Sequence, residues 1–466
     1  MKKICTLILI VLMLICIYPV SAVENTTDAS IMNGCNTLDS QVTFLGSEKK
    51  IENVISAVLY ETTTDTLMYC DNADEQLPPS SLVKILTALI AIEKGNLTEA
   101  VTVREDVLAT LPKDAKVVEL VVGEVLTVED LIYCMMVGSG NDAAVVLADH
   151  IMGNQQAFVD EMNRYAAELG CTNTNFTNVH GLHDINQYTS ARDMARILAQ
   201  AIKNEEFCLA FGDVYYNVPA TNKVNIRYLA TDNYLLNDDQ VRIYYDERVK
   251  GSRTGVANDR TRCLATVAED DGLTYVSIVM GSESQYEADG YSVKVFGGYD
   301  ETIQLLNLGF EGYKTAQVLH DGQVMLQSKV QNGDADVSIG THDSAFSVIP
   351  SSVDAEGLEY RYVDQTPLVA PIEKGQKLSS IQVWCYGVCV AQKDLYALNS
   401  VKEFVPVALD ENSDRSILGS ILLYGVGAFF GLGLLGIIIV SLVRAVNLAK
   451  LRQKRQRHRR NRRRSR

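Results

Sequence analysis

The order of apolar patterns between residues 51 and 308 is the feature that most constrains the fold of this chain. Two β-rich runs, ISAVLYE and TLMYC, come first, and two more, CLATVAED and LTYVSIVMGS, come last around an Asp-Asp-Gly turn. Between them, apolar residues recur at helical spacing. A domain that begins and ends in strands is predicted to pair those strands in one sheet. We therefore predict an α+β domain over residues 51–310.

Helical spacing predicts helices at 81–94, 128–152, 155–169 and 190–203, the last capped by Ser190. The helical signal ends after GFEGYK. Residues 315–405 instead hold short alternating runs separated by turn residues, which predict a small all-β domain. In its WCYGVC stretch, Tyr386-Gly387 is predicted to turn a hairpin. The sequence leaves undecided whether Cys385 and Cys389 form a disulfide.

Both ends of the chain carry targeting signals. Residues 1–22 read MKKICTLILIVLMLICIYPVSA, two lysines followed by an apolar run and small residues, which predicts a secretory signal peptide. An uncleaved N-terminal anchor is the alternative. Residues 23–50 are polar and are predicted to be a flexible leader.

Near the other end, residues 417–443 form a run of 27 without a charged residue, after a polar stalk at 406–416. As a helix, this run is about 40 Å long and predicts one transmembrane span. Residues 444–466 follow with 12 Lys and Arg and no acid. The positive-inside rule places this tail in the cytoplasm of a single-pass membrane protein, with the body outside. Its position beside a span favours anionic lipid as the tail's partner, and nucleic acid is the alternative.

The charge of the body excludes several ligand classes. Without the 12 basic residues of the tail and the two of the signal peptide, 28 Lys and Arg remain against 58 Asp and Glu, so the body is near −30. Such a surface repels nucleic acid and other polyanions except at a local basic patch. Its eight cysteines, spread over nearly 400 residues, form neither a disulfide framework nor the repeated short spacing of a zinc site. Two of them, Cys134 and Cys263, are predicted to be buried thiols.

Ser81 and Lys84 stand three residues apart at the start of the predicted helix 81–94. Residues at this spacing share a helix face, so the hydroxyl and the amine can meet. The first turn offers free backbone N–H groups, and apolar neighbours lower the pKa of a lysine, which predicts a nucleophile and its base. The alternative is a capping serine beside a lysine that reaches the surface. The spacing alone is weak, since it recurs at Ser47 and Lys50.

A second polar cluster, Ser139-Gly140-Asn141, interrupts the apolar pattern of the predicted helix 128–152. Large and small apolar residues flank it on both sides. A polar break inside such a pattern is predicted to point its side chains out of a packed core. The alternative is an ordinary solvent-facing junction between helices.

A third cluster, Arg253-Thr254-Gly255, precedes the last β hairpin. A cation and a hydroxyl at a strand edge, followed by a glycine that allows close approach, can form a ledge for a carboxylate. The alternative is an exposed strand end.

Taken together and in this order, the motifs PPSSLVKILT, VGSGNDAA, FTNVHGLHD with YTSARDMARI, and GSRTG resemble those of the D-alanyl-D-alanine carboxypeptidases. These are the low-molecular-mass penicillin-binding proteins, related to the serine β-lactamases. TPLVAPIEKGQKLSSIQV resembles the C-terminal domain of that family. The resemblance implies a β-lactamase/transpeptidase-like α+β domain with an antiparallel sheet, flanking helices and a helical subdomain. In this chain the small all-β domain and one C-terminal transmembrane helix would follow.

The resemblance also implies a reaction that needs no metal or organic cofactor. Ser81 would attack the carbonyl of the penultimate D-alanine in a peptidoglycan stem peptide, and Lys84 would take its proton. Ser139 would relay a proton to the leaving D-alanine, and Asn141 would hydrogen-bond the substrate backbone. The N–H groups of Ser81 and Val256 would form the oxyanion hole. β-Lactam antibiotics would acylate the same serine.

Arg253 and Thr254, next to Gly255, would hold the terminal carboxylate by the same resemblance. Arg253 is a departure, because the family usually has lysine there. Arginine pairs with carboxylates, even bidentately, but it does not deprotonate. An inactive wall-binding scaffold and a β-lactamase remain as alternative functions.

His180-Gly181-Leu182 matches the family too and is interpreted as a structural loop under the site, with a catalytic histidine as the alternative. A different match, the G-x-G-x-x-G pattern at 431–436, lies inside the predicted span. There its small residues favour close helix packing and carry no nucleotide function.

Overall fold

The computed structural model describes residues 38, 50–239, 241–256, 261–289, 292–354, 357–363, 366–405, 435 and 437–444. The predicted signal peptide, stalk, and most of the predicted leader, span and tail lie outside these residues. The chain divides into two units, Met1–Val401 and Lys402–Arg466. In the second unit, residues 437–444 are helical. Across the described ranges, no helix combines the length and apolar character that a membrane span requires.

The N-terminal domain combines strands with helices. Its strands are β1 (Ser56–Glu61), β2 (Thr66–Asp71), β3 (Ala100–Thr102), β4 (Val125–Thr127), β5 (Tyr215–Val218), β6 (Arg227–Ala230), β7 (Val249–Val256), β8 (Thr261–Asp270), β9 (Leu273–Glu283), β10 (Gln285–Tyr286) and β11 (Val293–Val295). Its helices are α1 (Val83–Lys94), α2 (Glu105–Leu108), α3 (Val128–Met136), α4 (Asn141–Met152), α5 (Gln155–Glu168), α6 (Ala191–Ala201), α7 (Glu205–Gly212) and α8 (Tyr299–Gly312).

Five strands form an antiparallel sheet in the order β2-β1-β9-β8-β7. Strand β1 pairs with β9, with Ala57 opposite Val279, so the first and last strands share the sheet as the sequence predicted. Strand β7 is the edge strand and pairs with β8 up to Val256 opposite Arg262. The predicted hairpin between β8 and β9 turns at Asp271-Gly272, where both residues have positive φ.

The sheet is buried on both faces. Alternate residues of β1 contribute to two clusters: Val58 packs with the helices, and Leu59 packs with residues of α8 such as Leu305. Because successive side chains of a strand point to opposite faces, one strand can serve both cores. All six residues of β1 are buried accordingly.

Two predicted helices differ from the observed ones at the places where polar residues lie. The predicted helix 81–94 begins as a 3₁₀ turn, Ser80–Leu82, and continues as α1 from Val83. The predicted helix 128–152 is two helices, α3 and α4, because Ser139 adopts a left-handed conformation with φ of 62° that ends the first. Ser190 caps α6 as predicted, since its side chain accepts a hydrogen bond from the N–H of Asp193.

The second domain of the first unit is all-β, as predicted. Its strands are β12 (Tyr313–Leu319), β13 (Val324–Ser328), β14 (Val337–Gly340), β15 (Ala345–Pro350), β16 (Leu358–Tyr362), β17 (Lys377–Cys385) and β18 (Val388–Ala397). They form a sheet in the order β13-β14-β18-β17-β16 and a pair β12-β15.

The predicted hairpin at Tyr386-Gly387 joins β17 and β18, with Cys385 opposite Val388. No disulfide joins Cys385 and Cys389. Cys134 and Cys263 are buried, in agreement with the prediction.

Candidate active site

Ser81 lies in the middle of the 3₁₀ turn that precedes α1. The residue before it, Ser80, has a φ of 48°, a conformation that costs free energy for a residue with a Cβ. The Ser80 hydroxyl donates a hydrogen bond of 2.6 Å to the carbonyl oxygen of Val256. The turn that carries Ser81 is thereby tied to the end of the edge strand β7.

Lys84 lies one turn further along, with 1 % of its surface exposed. Its Nζ donates hydrogen bonds to Ser81 Oγ at 3.2 Å, Asn141 Oδ1 at 2.6 Å and the carbonyl oxygen of His180 at 3.0 Å. The predicted meeting of the serine hydroxyl and the lysine amine is therefore present. The alternative of a lysine that reaches the surface is wrong.

The surroundings of Lys84 favour its neutral form. Burial, followed by the positive charges of Arg253 and Lys116, lowers the pKa of Lys84 well below its ordinary value. A neutral amine has two N–H groups and one lone pair. The amide oxygen of Asn141 and the carbonyl of His180 can take the two N–H groups. The lone pair is then left for the hydroxyl proton of Ser81, which is the arrangement of a general base.

Ser139 and Asn141 come from the junction between α3 and α4. Asn141 is buried at the start of α4, and its backbone N–H donates to the carbonyl oxygen of Lys116 at 2.9 Å. Its Oδ1 accepts from Lys84, which leaves its side-chain Nδ2 without a hydrogen bond to any described residue. Both Ser139 and Asn141 line the same cleft as Ser81. The polar break in the helical pattern therefore does point into a site.

Arg253 occupies the middle of β7 and is 4 % exposed. One terminal nitrogen donates to the carbonyl oxygen of Met136 at 2.6 Å, and the other donates to Ser139 Oγ at 2.6 Å. Burial lowers its pKa to about 10, so the guanidinium stays charged at neutral pH. Arg253 is not among the residues that line the cleft. This geometry does not support the predicted contact between Arg253 and a substrate carboxylate.

The remaining predicted residues of β7 lie against the Ser81 turn. Thr254 and Val256 line the cleft. The Thr254 hydroxyl is held between Asn233 Nδ2 at 3.0 Å and the Tyr299 hydroxyl at 3.2 Å.

A Cβ on Gly255 would lie 3.0 Å from Ser80 Cβ and 3.1 Å from the backbone nitrogen of Ser81. The absence of a side chain at this glycine therefore lets the backbone of β7 lie beside Ser81. The close approach of a carboxylate to Gly255 stays a prediction.

The cleft has a volume of about 320 Å³. Among the charged residues that line it, sequence reasoning missed Lys116, Asp232 and Arg262. Lys116 and Asp232 form an ion pair of 2.7 Å. Burial alone would raise the pKa of Asp232, but the Lys116 ammonium more than offsets this and holds it below its usual value. Arg262, on β8, is the third. No local motif marked these residues, because they come from two loops and the neighbouring strand.

His180-Gly181-Leu182 lies under Ser81, as predicted. The His180 carbonyl accepts from Lys84, and its Nδ1 accepts from the N–H of Leu182 at 3.1 Å. Gly181 has a φ of 88°, and a Cβ there would lie 1.9 Å from the Ser80 carbonyl oxygen. Only glycine fits at this position.

Two family models match the chain. The model described as D-alanyl-D-alanine carboxypeptidase matches residues 46–284, which include every residue that lines the cleft. The model described as the C-terminal domain of penicillin-binding protein 5 matches residues 313–403.

Individual proteins agree with these models. The chain is 32 % identical over 358 residues to D-alanyl-D-alanine carboxypeptidase DacA of Haemophilus influenzae, covering 74 % of this chain and 84 % of the relative. It is 27 % identical over 352 residues to DacF of Bacillus subtilis, covering 75 % and 86 %. The crystal structure of penicillin-binding protein 5 from Haemophilus influenzae superposes with a TM-score of 0.60 at 30 % identity, covering 77 % of this chain and all of that chain.

Proposed function

This chain belongs to the D-alanyl-D-alanine carboxypeptidase family, and from that premise we propose that it removes the terminal D-alanine of peptidoglycan stem peptides through an acyl-enzyme on Ser81. The observation that carries the proposal is the contact of 3.2 Å between Nζ of the buried Lys84 and Oγ of the half-buried Ser81. The buried base lies within hydrogen-bond reach of Ser81, which lines a cleft large enough for a peptide end.

In the first step, Ser81 Oγ attacks the carbonyl carbon of the penultimate D-alanine while Lys84 takes the hydroxyl proton. The negative oxygen that forms would accept hydrogen bonds from the N–H groups of Ser81 and Val256. The bond between carbonyl carbon and nitrogen then breaks. Ser139 gives its proton to the departing amine, and the proton held by Lys84 restores Ser139.

Arg253 has a defined part in this step. Its guanidinium donates to Ser139 Oγ and has no acceptor to offer. The Ser139 hydroxyl must therefore direct its own proton elsewhere, which favours donation to the leaving amine.

In the second step, water attacks the acyl-enzyme, and the ester bond breaks to return Ser81 and a shortened peptide.

The sequence supports a reaction outside the membrane. A signal peptide at 1–22 and a span at 417–443 would place the body outside the membrane, where peptidoglycan is. The basic tail at 444–466 would lie in the cytoplasm against anionic lipid. Protease added to intact cells, once the wall has been removed, should digest the body and leave the tail fragment. Digestion of the tail by external protease would contradict this orientation.

The activity is tested with the full-length chain purified in detergent. Release of D-alanine from an N-acylated Lys-D-Ala-D-Ala peptide is expected for the wild type and not for Ser81→Ala. Ser47→Ala is a matched control, because Ser47 and Lys50 repeat the spacing of Ser81 and Lys84. It should release D-alanine at the wild-type rate. No release by a folded wild type would favour a wall-binding scaffold, and fast turnover of penicillin would favour a β-lactamase.

A further inference from the structure

We infer that Arg262, and not Arg253, receives the terminal carboxylate of the substrate and sets the preference of this enzyme for a free peptide end. The inference rests on the proposed function. It concerns the specificity of that reaction. Four observations lead to it: the sheet position of Arg262, the contacts that hold it, the existing hydrogen bonds and ion pairs of the other cations, and the charge of the body.

Arg262 lies at the right place in the sheet. It is directly opposite Val256 in the pairing of β7 with β8. Opposite residues in an antiparallel pair point to the same face, with Cβ atoms about 5 Å apart. Thr254, two residues before Val256, also points to that face. All three side chains line the cleft.

This spacing suits a D-Ala-D-Ala end. Three covalent bonds separate the attacked carbonyl carbon from the carboxylate carbon, a distance close to the length of one residue, about 3.8 Å. If Val256 N–H binds the oxygen of the attacked carbonyl, the substrate carboxylate lies about one residue length from that carbonyl. A group on the neighbouring strand, opposite Val256, is within reach of it.

The contacts of Arg262 fix the orientation of the guanidinium and do not use its two terminal nitrogens. Nε donates to Ser284 Oγ at 3.3 Å, and the guanidinium lies over the ring of Phe296 at 5.0 Å from its centroid. Both contacts hold the plane of the group. Its two terminal nitrogens form no hydrogen bond with the described residues. Two parallel N–H groups of this kind are the geometry that a carboxylate accepts bidentately.

The other cations near the cleft are already engaged. Both terminal nitrogens of Arg253 donate to protein oxygens, of Met136 and Ser139. Lys116 is paired with Asp232 at 2.7 Å. Among the described acids, none forms an ion pair with Arg262. An anionic peptide end that approaches a body near −30 needs a local cation. Arg262 can supply one without breaking an existing ion pair with a described residue.

The test compares ligands that differ only in the carboxylate. One pair is the N-acylated Lys-D-Ala-D-Ala peptide and its C-terminal amide. The other pair is benzylpenicillin and its methyl ester, for which the acylation rate of Ser81 is measured. The enzymes are the full-length wild type, Arg262→Ala and Arg262→Lys. Arg361→Ala is the matched control, since Arg361 also lies over an aromatic ring, that of Trp384 at 4.2 Å, in the β domain.

We expect Arg262→Ala to lower kcat/KM for the free peptide roughly 10- to 100-fold, mainly through KM, because a hydrogen bond to a charged group is lost. The rate with the amide and the acylation by the methyl ester should stay unchanged. Arg262→Lys should recover part of the preference, and Arg361→Ala should match the wild type.

An equal loss for both members of a pair, or no loss at all, would overturn the assignment of Arg262. These results are distinct from a failure of the proposed function. In that case the wild type itself would release no D-alanine and would not be acylated by benzylpenicillin. A melting curve for each variant separates a folding defect, which lowers all four rates together, from a loss of selectivity.

Discussion

The guanidinium of Arg253 donates a hydrogen bond of 2.6 Å to the hydroxyl oxygen of Ser139, and both residues are buried. The contact joins the edge strand β7 to the junction between α3 and α4. The residue that departs from the family pattern therefore contacts the hydroxyl that, in the proposed mechanism, protonates the leaving amine. A cation at this position can hold Ser139 whether it is arginine or lysine.

We expect Arg253→Lys to keep or raise D-alanine release, because an ammonium can make the same bond to Ser139. Arg253→Met should lower kcat by about 10- to 100-fold, since a hydrogen bond to a charged group contributes about 1.5 to 3 kcal/mol. The measurement is steady-state release from the N-acylated peptide. A double-mutant cycle with Ser139→Ala should be strongly non-additive if the two residues act as a unit. A large loss for Arg253→Lys would contradict this account.

Lys84→Met should lower the acylation rate by about 10²- to 10⁴-fold, the usual contribution of a general base. Wild-type acylation should rise with pH as the buried ammonium loses its proton. Benzylpenicillin acylation across a pH series measures both effects. Lys94→Met is the control on the same helix, because Lys94 pairs with Glu161 at the far end of α1. A Lys84→Met enzyme that keeps wild-type acylation would eliminate the lysine as the base.

The same burial makes a prediction about stability. Since the folded-state pKa of Lys84 is below the unfolded value, the unfolded chain binds more protons between the two. In that window, the wild type should gain up to about 1.4 kcal/mol of unfolding free energy per pH unit relative to Lys84→Met. Denaturant titrations at pH 7 and pH 9 give the difference. Parallel pH dependences would mean that the pKa of Lys84 is not lowered.

The sequence was sufficient wherever the determining interactions are local. The spacing of Ser81 and Lys84 within one turn predicted their contact, since i and i+3 residues share a helix face. The positive φ of Ser139, which ends α3, corresponds to the polar break in the apolar pattern. The shared sheet of the first and last strands also followed from the order of elements along the chain.

Local sequence patterns could not predict which groups the Arg253 side chain contacts or where Arg262 lies in the sheet. Both depend on how β7 sits between the helical part of the domain and β8, which is a matter of register and packing between distant segments. Arg262 stands just before the β-rich run CLATVAED, and no sequence pattern singled it out. Its place opposite Val256 exists only in the folded sheet.

Acid should weaken the fold through His180. Burial, and secondarily the charge of Lys84, lowers the pKa of His180 to about 4. This is below the unfolded value of about 6.5, so stability falls as pH drops through 6.5 toward 4. Between pH 7 and pH 5 we expect a loss of about 1 to 2 kcal/mol that His180→Asn does not share. Asparagine offers an acceptor to the Leu182 N–H but does not titrate. Unfolding curves that shift equally in both proteins would rule out this role.

Gly181→Ala should damage both stability and activity. Its Cβ would lie 1.9 Å from the Ser80 carbonyl oxygen, so the turn that carries Ser81 must move. Gly153→Ala is the matched control, because Gly153 has a similar φ of 77° and no atom within 4 Å of its Cβ position. The control should lose only the free energy that a positive φ costs a residue with a Cβ, about 1 to 2 kcal/mol, and keep full acylation. Gly181→Ala should lose a further 1 to 3 kcal/mol, roughly the cost of overpacking, and acylate slowly. Equal effects of the two substitutions on melting and on benzylpenicillin acylation would mean that Gly181 serves only the backbone conformation and does not position the nucleophile.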